Sequence, residues 1–587
     1  MTSVPSLNTL WARALVEELQ RGGVREVVVA PGSRSAPLAL AAAEAAPELR
    51  TWVVLDERVA GFFALGLALE SGSPAAIVVT SGSAGTHLFP ALVEAWASGV
   101  PLLALTADRP WELHGFGAPQ TMPQEGLFGR FVRASERLAL PEPSSTAFRH
   151  LRAVVSRAVA TASARPPGPV HLDVPFREPL APAPDAPPPA GLDAEALEGR
   201  PGAPFVRMVA PSSLPPAAEL EAVRRRLAAA ERGVVVVGPR ARSDRLATAV
   251  RALAASHGYP VLAEAASNVR WAPGQPAVSH LDLLLRNEGW ALSARPDLVI
   301  RLGGGLCSRR TSEWLDASGA EVVLISEGGQ PVDPQHRAGL VLEGDAVGIC
   351  EALAAATAPR RATWADGFVR ADARAEAALA SALAGEPRLT EPGVARAVVA
   401  ALPAGARLIL GSSMPVRDVD AFAPAPPGPV RVLANRGLNG IDGNLSTALG
   451  IAAASGAPTV ALVGDLAFLH DLGALVHARR AGVRLTVVVV DNDGGGIFSF
   501  LPIAGSTERF EALFGTPHGT DLAGAAALGG GRFLRAETPA ELATALESAG
   551  APGLTIVDAR VVDRATNVQV HHALGAAVAR ALEEGGP

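Results

Sequence analysis

The amino-acid sequence predicts an α/β protein made of three doubly wound parallel-sheet domains. At 587 residues the chain is too long for one hydrophobic core, given about 150 residues per domain. Short valine- and leucine-rich runs alternate with alanine-rich stretches of helical length, which is the rhythm of βαβ units. The proline-rich stretch 181–189 is predicted to be a linker. The predicted domains are residues 1–185, 203–360 and 388–587.

The first block begins with an amphipathic helix that opens at residues 8–11, where a secretory signal would carry basic and then apolar residues. Its predicted strands are residues 27–29, 52–55, 77–79 and 102–105. A helix is predicted at 59–69, after the second of these strands. This alternation implies a parallel sheet.

The middle and last blocks repeat the alternation. In the middle block, residues 234–237, 298–303 and 322–325 are predicted to be buried parallel strands. Residues 238–241 do not complete a GxGxxG loop, so nothing in this Rossmann-like block supports NAD or FAD binding. The last block has predicted strands at 408–411, 459–463, 485–490 and 554–557, and a helix-like stretch over 467–480 connects the second and third of them.

The composition excludes several classes of function. A net charge of −7 without a basic block argues against nucleic acid as a partner. The sequence contains no apolar run of about 20 residues, so no membrane insertion is expected. Two cysteines supply neither a disulfide framework nor a thiolate zinc site, and a cytoplasmic location is expected. Because the chain has no lysine, Schiff-base chemistry and a Walker-A loop are excluded, and arginine must bind the anions.

A candidate metal site lies in the last block, where polar residues follow two successive strands. Residues 464–466 (Gly-Asp-Leu) follow the first, and residues 491–496 (Asp-Asn-Asp-Gly-Gly-Gly) follow the second. In a right-handed βαβ unit, Asp465 and Asn492 then lie at one edge of a parallel sheet. Their oxygens and the carbonyl of Gly494 suit octahedral Mg²⁺, and Mn²⁺ accepts the same ligands. The alternative interpretation is a turn followed by a helix cap.

The spacing of these residues resembles the signature of thiamine-diphosphate (ThDP) enzymes, a Gly-Asp pair followed by a later asparagine. On that resemblance Gly464, Asp465, Asn492 and Gly494 bind the cofactor through the metal. A ThDP site also needs a carboxylate facing N1′ of the aminopyrimidine, because the proton exchanged there starts the carbanion chemistry. Glu57, between a predicted strand and a helix of the first block, fits this catalytic role. Its alternative interpretation is an acid favoured by a helix dipole.

Longer strings make the resemblance more specific. They are residues 31–37 (PGSRSAP), 56–58 (DER), 80–86 (TSGSAGT), 106–110 (TADRP), 117–121 (GAPQT), 435–443 (NRGLNGIDG) and 496–502 (GIFSFLP). Nearly end to end, the chain resembles the 2-succinyl-5-enolpyruvyl-6-hydroxy-3-cyclohexene-1-carboxylate (SEPHCHC) synthase family of menaquinone biosynthesis. The resemblance implies decarboxylation of 2-oxoglutarate on ThDP and addition of the remaining four-carbon unit to isochorismate.

The resemblance also implies substrate-binding roles. Both substrates are polyanions, and bidentate guanidinium–carboxylate pairs orient such molecules. The residues carried over by position as substrate contacts are Ser33, Arg34, Arg109, Gln120, Ser413, Arg417 and Arg436. Ile441 is the apolar wedge that bends ThDP, and Ile497 and Phe498 form walls of the pocket. The alternatives are solvated surface charge for the arginines and core packing for Ile497 and Phe498.

Two departures from the family pattern affect these roles. Arg309 stands where some relatives carry a lysine that reaches the pocket, so its reach toward substrate differs. Asp491 and Asp493 flank Asn492 in place of asparagines, which changes the charge around the metal loop. In the superfamily the Glu57 half of the site meets the metal half across a subunit interface, which implies a homodimer or a dimer of dimers.

Other functions stay open from the sequence. An acetohydroxyacid synthase or another ThDP-dependent 2-oxo acid decarboxylase would share the metal motif and Glu57, but the arginine motifs argue against its small uncharged substrates. A catalytically silent binding protein would be supported by loss of Glu57, Asp465 or Asn492, and all are present. A serine hydrolase would need a GxSxG elbow, which the sequence lacks.

Overall fold

The structure, a computed structural model, describes residues 6–182, 192–209, 214–240, 243–272, 277–329, 331–355, 363–426 and 428–584. From residue 183 onward, the predicted linker at 181–189 lies outside these ranges. Within them the strands form three sheets in which all neighbouring strands are parallel, so the predicted fold class is confirmed. In the same ranges no helix has the length and apolar content needed to cross a bilayer.

The first sheet has the strand order β2-β1-β3-β4-β6-β5. Its strands are β1 (Glu26–Val29), β2 (Arg50–Val53), β3 (Ala75–Val79), β4 (Leu102–Asp108), β5 (Ala134–Arg137) and β6 (Val170–Pro175). Its helices are α1 (Leu7–Arg21), α2 (Ala36–Glu44), α3 (Glu57–Ser71), α4 (Ser83–Thr86), α5 (Phe89–Ser98), α6 (Ser145–Ser163) and α7 (Ala194–Glu198). The central strands β3 and β4 are buried at every position, as expected for a parallel sheet covered on both faces.

The second sheet has the order β11-β10-β9-β7-β8. Its strands are β7 (Gly233–Val237), β8 (Val261–Ala263), β9 (Leu298–Leu302), β10 (Glu321–Ser326) and β11 (Ala338–Glu343). Its helices are α8 (Ala217–Ala229), α9 (Asp244–His257), α10 (Asn268–Trp271), α11 (Leu281–Leu284), α12 (Glu288–Ser293), α13 (Arg309–Ala317), α14 (Ala346–Ala354) and α15 (Thr363–Ala384). The three predicted strands of this block are confirmed within a residue or so at their ends.

The third sheet has the order β13-β12-β14-β15-β17-β16. Its strands are β12 (Arg407–Leu410), β13 (Arg431–Leu433), β14 (Thr459–Gly464), β15 (Arg484–Asp491), β16 (Arg532–Ala536) and β17 (Gly553–Arg560). The helices of this part of the chain are α16 (Glu391–Ala400), α17 (Met414–Phe422), α18 (Asn444–Ser455), α19 (Asp465–His470), α20 (Gly473–Ala481), α21 (Ala523–Gly529), α22 (Pro539–Leu546) and α23 (Arg564–Glu584).

The helix-like stretch predicted over 467–480 is helical, but it is divided into two helices, α19 and α20. Asp471 leaves the helical region with φ −123° and ends α19, and Gly473 begins α20. The buried side chains of both helices continue one apolar spacing, so the periodicity of the sequence does not reveal the break.

By internal packing the chain forms two compact units, residues 1–211 with 446–455, and residues 212–445 with 456–587. In the first unit, α3 packs tightly against residues 446–455. A Cβ on Gly66 would collide with the carbonyl oxygen of Thr447, and one on Gly450 would collide with the carbonyl of Phe63. Only glycine permits this backbone contact, which fixes the helix that starts at Glu57.

Candidate active site

In the first unit, polar residues gather where the parallel strands β1 to β4 end. Four neighbouring strands of this sheet run parallel, so the residues that follow them share one edge. The residues at this edge are Ser33 and Arg34 after β1, Glu57 after β2, Ser81 after β3 and Arg109 after β4. The edge therefore carries both the predicted catalytic acid and predicted substrate-binding residues.

Glu57 is the first residue of α3, and the residues next to it make no hydrogen bond with its carboxylate. Asp56 caps the helix by accepting the N–H of Arg58 (2.9 Å) and also pairs with the Arg58 guanidinium (2.6 Å). Hydrogen bonding to Arg58 lowers the pKa of Asp56. Glu57 is partly buried, and no residue in the described part of the chain hydrogen-bonds its side chain. Its carboxylate is free to meet a ligand.

Arg109, Ser81 and Gln120 form one hydrogen-bonded group at this edge. The Arg109 Nη1 donates to the Ser81 hydroxyl and to the Gln120 carbonyl (2.8 Å). Gln120 adopts φ 56° and donates from Nε2 to the Ser81 carbonyl (3.4 Å). The structure therefore brings together Arg109 and Gln120, as the substrate-binding hypothesis requires.

Arg34 acts electrostatically on Arg109, and its own guanidinium is held by two residues that follow β6. Its Nη1 donates to the Phe176 carbonyl (2.9 Å), and its Nη2 is 3.1 Å from Glu178. Burial and the positive charge of Arg34 lower the pKa of Arg109. Ser33, the preceding residue, is exposed. Two close guanidinium groups and a hydroxyl make this edge suitable for a carboxylate-bearing ligand.

In the second unit, the predicted metal residues follow the neighbouring strands β14 and β15. The register of this parallel pair places Gly464 beside Val490. The next residues are Asp465, which begins α19, and Asp491, which ends β15. Asp465 is 2% exposed. Its Oδ1 accepts the N–H of Leu466 (2.6 Å) and its Oδ2 accepts the N–H of Gly494 (2.8 Å). Burial raises the pKa of Asp465.

The side-chain oxygen of Asn492 is the atom of this loop that most clearly indicates a bound cation. Its Nδ2 donates to Oε1 of Glu391 (2.6 Å), which fixes the amide so that Oδ1 is the opposite atom. That Oδ1 is buried and has no hydrogen-bond partner among the described residues. A buried polar atom left without a partner costs roughly 1–3 kcal/mol. A cation would satisfy it.

The donor set of the metal loop fits a hard divalent cation. A buried carboxylate, the unsatisfied amide oxygen and the Gly494 carbonyl are the oxygen ligands that Mg²⁺ prefers. The Gly494 carbonyl accepts the N–H of Gly496 (3.0 Å) and keeps a second lone pair. One ligand atom each of Asp465, Asp491 and His518 also lies within 4.8 Å of the other two. A cavity of about 640 Å³ opens beside the loop.

Arg436 and Arg417 lie near Cys307 and Glu264 in the second unit. Arg436 is 7% exposed, and its Nε and Nη1 are buried without a partner in the described ranges. Arg417 donates from Nη1 to the Ser413 carbonyl (2.5 Å), and Ser413 has φ 75°. Burial raises the pKa of the Cys307 thiol to about 12, and both arginine charges oppose that rise. An unsatisfied buried guanidinium is a site for a ligand carboxylate.

The other predicted residues of the second unit lie in varied surroundings. The side chain of Arg309 is 91% exposed and pairs with Glu313 on its own helix (2.7 Å), and its role in substrate binding stays a prediction. Ile497 and Phe498 form a 3₁₀ turn, where Phe498 packs edge-on against Phe514 at 5.8 Å. Ile441 is partly buried, and its carbonyl accepts Nδ2 of Asn444 (2.6 Å).

Sequence reasoning missed Glu264, Glu391 and His518. Glu264 directly follows β8, the same signal that identified Asp465. Its Oε1 accepts the N–H groups of Cys307 and Ser308, and burial and the charge of Asp420 raise its pKa to about 8. Glu391 begins α16 as an ordinary first-turn acid, and only its contact with Asn492 shows its importance.

The chain matches three protein-family models in succession. Residues 11–127 match the N-terminal TPP (thiamine pyrophosphate) binding domain of thiamine pyrophosphate enzymes, and residues 205–410 match their middle domain. Residues 419–559 match the C-terminal TPP binding domain of the same enzymes. Glu57 lies in the first of these ranges, and Asp465 and Asn492 lie in the last.

Curated relatives match the chain over its whole length. It is 56% identical to the 2-succinyl-5-enolpyruvyl-6-hydroxy-3-cyclohexene-1-carboxylate synthase of Myxococcus xanthus over 100% of both chains. It is 42% identical to the synthase of the same name from Roseiflexus castenholzii over 93% of both chains. It is 41% identical to that of Chloroflexus aurantiacus over 98% of this chain and 97% of the relative.

Proposed function

We propose the following reaction from the premise that this chain belongs to the SEPHCHC synthase family of ThDP-dependent enzymes. The enzyme decarboxylates 2-oxoglutarate and adds the remaining four-carbon unit to isochorismate, giving SEPHCHC for menaquinone biosynthesis, with Mg²⁺ as the metal. The family is a transferase family that forms a carbon–carbon bond. The observation that carries the proposal is the buried Oδ1 of Asn492, which has no partner among the described residues and follows the strand next to the one that ends just before the buried Asp465.

The residues of the metal loop would hold ThDP, and Glu57 would exchange its proton. Asp465, the Asn492 Oδ1 and the Gly494 carbonyl would bind Mg²⁺, and the cation would neutralise the diphosphate. When bound, ThDP supplies the carbanion-stabilising centre of the reaction. The Glu57 carboxylate would share a proton with the aminopyrimidine N1′, and its lack of other partners in the described residues keeps its oxygens available.

The arginines of both units would orient the two acidic substrates. In the first unit, Arg34, Arg109, Gln120 and Ser33 would bind the acceptor. In the second unit, Ser413, Arg417 and Arg436 would bind carboxylates, with Ile441, Ile497 and Phe498 as apolar walls. We extend the proposal to a homodimer or dimer of dimers, in which each active site takes one half from each of two subunits. The cytoplasmic location stays a prediction.

The decisive experiment combines the purified protein with ThDP, Mg²⁺, 2-oxoglutarate and isochorismate, and measures CO₂ and the coupled adduct together. We expect both products in equal amounts, and neither when Mg²⁺ is removed by a chelator. Pyruvate replaces 2-oxoglutarate in a parallel reaction. Efficient turnover of pyruvate alone would favour an acetohydroxyacid synthase or decarboxylase, and absence of ThDP binding by calorimetry would favour a silent binding protein.

Replacing Arg436 by alanine should reduce kcat/KM for the coupled reaction by about 10- to 100-fold, because a charge-assisted pair contributes roughly 1.5–3 kcal/mol. ThDP and Mg²⁺ affinity should stay unchanged, since no cofactor ligand is removed. Calorimetry and steady-state kinetics measure the two effects. Arg226→Ala, which removes an exposed arginine paired with Glu321, is the matched control. Equal loss of cofactor and substrate binding in Arg436→Ala would indicate a folding defect, and an unchanged kcat/KM would contradict the assignment.

A further inference from the structure

The segment of residues 517–520 is hydrogen-bonded to the metal loop through Asp493. The Oδ1 of Asp493 accepts the backbone N–H groups of His518 (2.9 Å) and Gly519 (2.8 Å). Asp493 adopts φ 57°, a left-handed conformation that aspartate tolerates better than most residues. Asp493, one of the two acids that replace asparagines in this loop, therefore anchors the distant segment 517–520 to the loop.

The ring of His518 then reaches the buried carboxylate of Asp465. Its Nε2 lies 3.3 Å from Oδ2 of Asp465, and its side chain is 13% exposed. The N–H of Thr520 donates to Nδ1 of the same ring (3.0 Å), so Nδ1 acts as an acceptor. The hydrogen-bond network therefore assigns the ring proton to Nε2. The ring donates that N–H to Asp465.

We propose that His518 is a positioning residue for the metal-binding carboxylate of Asp465, and that Asp493 holds His518 in place. With Leu466 and Gly494 donating as well, three N–H groups fix both oxygens of Asp465 before a cation arrives. His518 is not a ligand itself, because Thr520 occupies its Nδ1 and its Nε2 carries the hydrogen. The inference rests on the proposed Mg²⁺–ThDP function.

The other acid of the loop, Asp491, supports Asp493. Its Oδ1 accepts the N–H of Asp493 (3.1 Å), and its Oδ2 lies 3.8 Å from Nε of Arg560. Both flanking acids thus have partners within the protein. Asp491 also lies beside Asp465 and His518, with one ligand atom of each within 4.8 Å of the other two.

The test uses the whole protein with ThDP and Mn²⁺ as the bound probe. Electron paramagnetic resonance measures Mn²⁺ affinity, and spin-echo modulation detects any nitrogen bound to Mn²⁺. His518→Ala and Asp493→Ala should each weaken Mn²⁺ binding by about 10-fold or more, as loss of an outer-shell partner usually does. His518→Gln should recover most of the affinity, since its amide N–H can replace Nε2–H. Asp493→Asn should do the same, because it keeps an acceptor oxygen.

Several outcomes would overturn the proposal. A histidine nitrogen coupling in the wild type that disappears in His518→Ala would make His518 a ligand, and unchanged affinity in His518→Ala would remove it from the site. His572→Ala, which replaces an exposed histidine, should bind Mn²⁺ as the wild type does. Thermal unfolding of each apo variant separates misfolding from loss of positioning. Failure of the wild type to bind ThDP and Mn²⁺ would instead refute the proposed function, and this inference with it.

Discussion

Replacement of Glu57 by glutamine is expected to lower kcat by about 10²-fold or more while ThDP binding stays nearly unchanged. Glutamine has the same shape, but its amide cannot take and return a proton at the oxygen that would face N1′ of the cofactor. Because no described residue hydrogen-bonds the Glu57 side chain, the substitution should leave the fold intact. Single-turnover kinetics and ThDP calorimetry on the same preparation measure the two quantities.

The neighbouring acid provides a matched control for this prediction. Asp56→Asn keeps an oxygen to cap α3 and lies one residue away, but Asp56 is already engaged by Arg58. We expect Asp56→Asn to retain most of the wild-type kcat. If Glu57→Gln turned over at a near-normal rate, Glu57 would have no part in the mechanism. If both variants lost activity equally, the cause would be a disturbed start of α3 and not the loss of the Glu57 carboxylate.

The fold was predictable because each βαβ unit carries its own local signal. Runs such as residues 234–237 and 485–490 are continuous and apolar, as strands buried on both faces must be. Six strands in the described part of the chain were not predicted from the sequence. Among them β5, β11 and β16 are partly exposed, and β8 and β13 have only three residues. The sixth, β6, is buried but carries His171 and Asp173 among its apolar residues. The break at Asp471 was missed because it interrupts the backbone without changing the apolar spacing.

The candidate site could be predicted only where polar residues that can bind a ligand come directly after a strand. Asp465 and Asn492 share a sheet edge by topology, so two short motifs were enough to place them together. The contacts of Asn492 with Glu391 and of Asp465 with His518 join residues far apart in sequence, and no local pattern encodes them. Arg309 was placed by resemblance alone; its side chain is exposed in this structure, and its role stays a prediction.

The metal loop yields the second large prediction. Asp465→Ala should weaken Mg²⁺ and ThDP together, each by about 10²-fold or more, since a direct ligand is worth more than the 10- to 100-fold typical of its outer-shell partners. A 100-fold loss corresponds to about 2.7 kcal/mol of binding free energy. Calorimetric titration of Mg²⁺ at fixed ThDP, and of ThDP at fixed Mg²⁺, measures both losses.

Asp465→Asn separates the charge of this residue from its hydrogen bonds. Asparagine keeps one acceptor oxygen, so it can accept the N–H of Leu466 or that of Gly494 but not both, and the apo protein should unfold somewhat below the wild-type temperature. Removal of the charge offsets part of this loss, because burial raises the pKa of the Asp465 carboxyl and so disfavours its charged form in the apo state. Stabilisation of the variant by bound cofactor should nevertheless fall. A ligand at 100 times its Kd raises the free energy of unfolding by about 2.7 kcal/mol, and the variant would bind too weakly to gain this increase. Unchanged cofactor affinity in both variants would mean that residue 465 does not bind the cation.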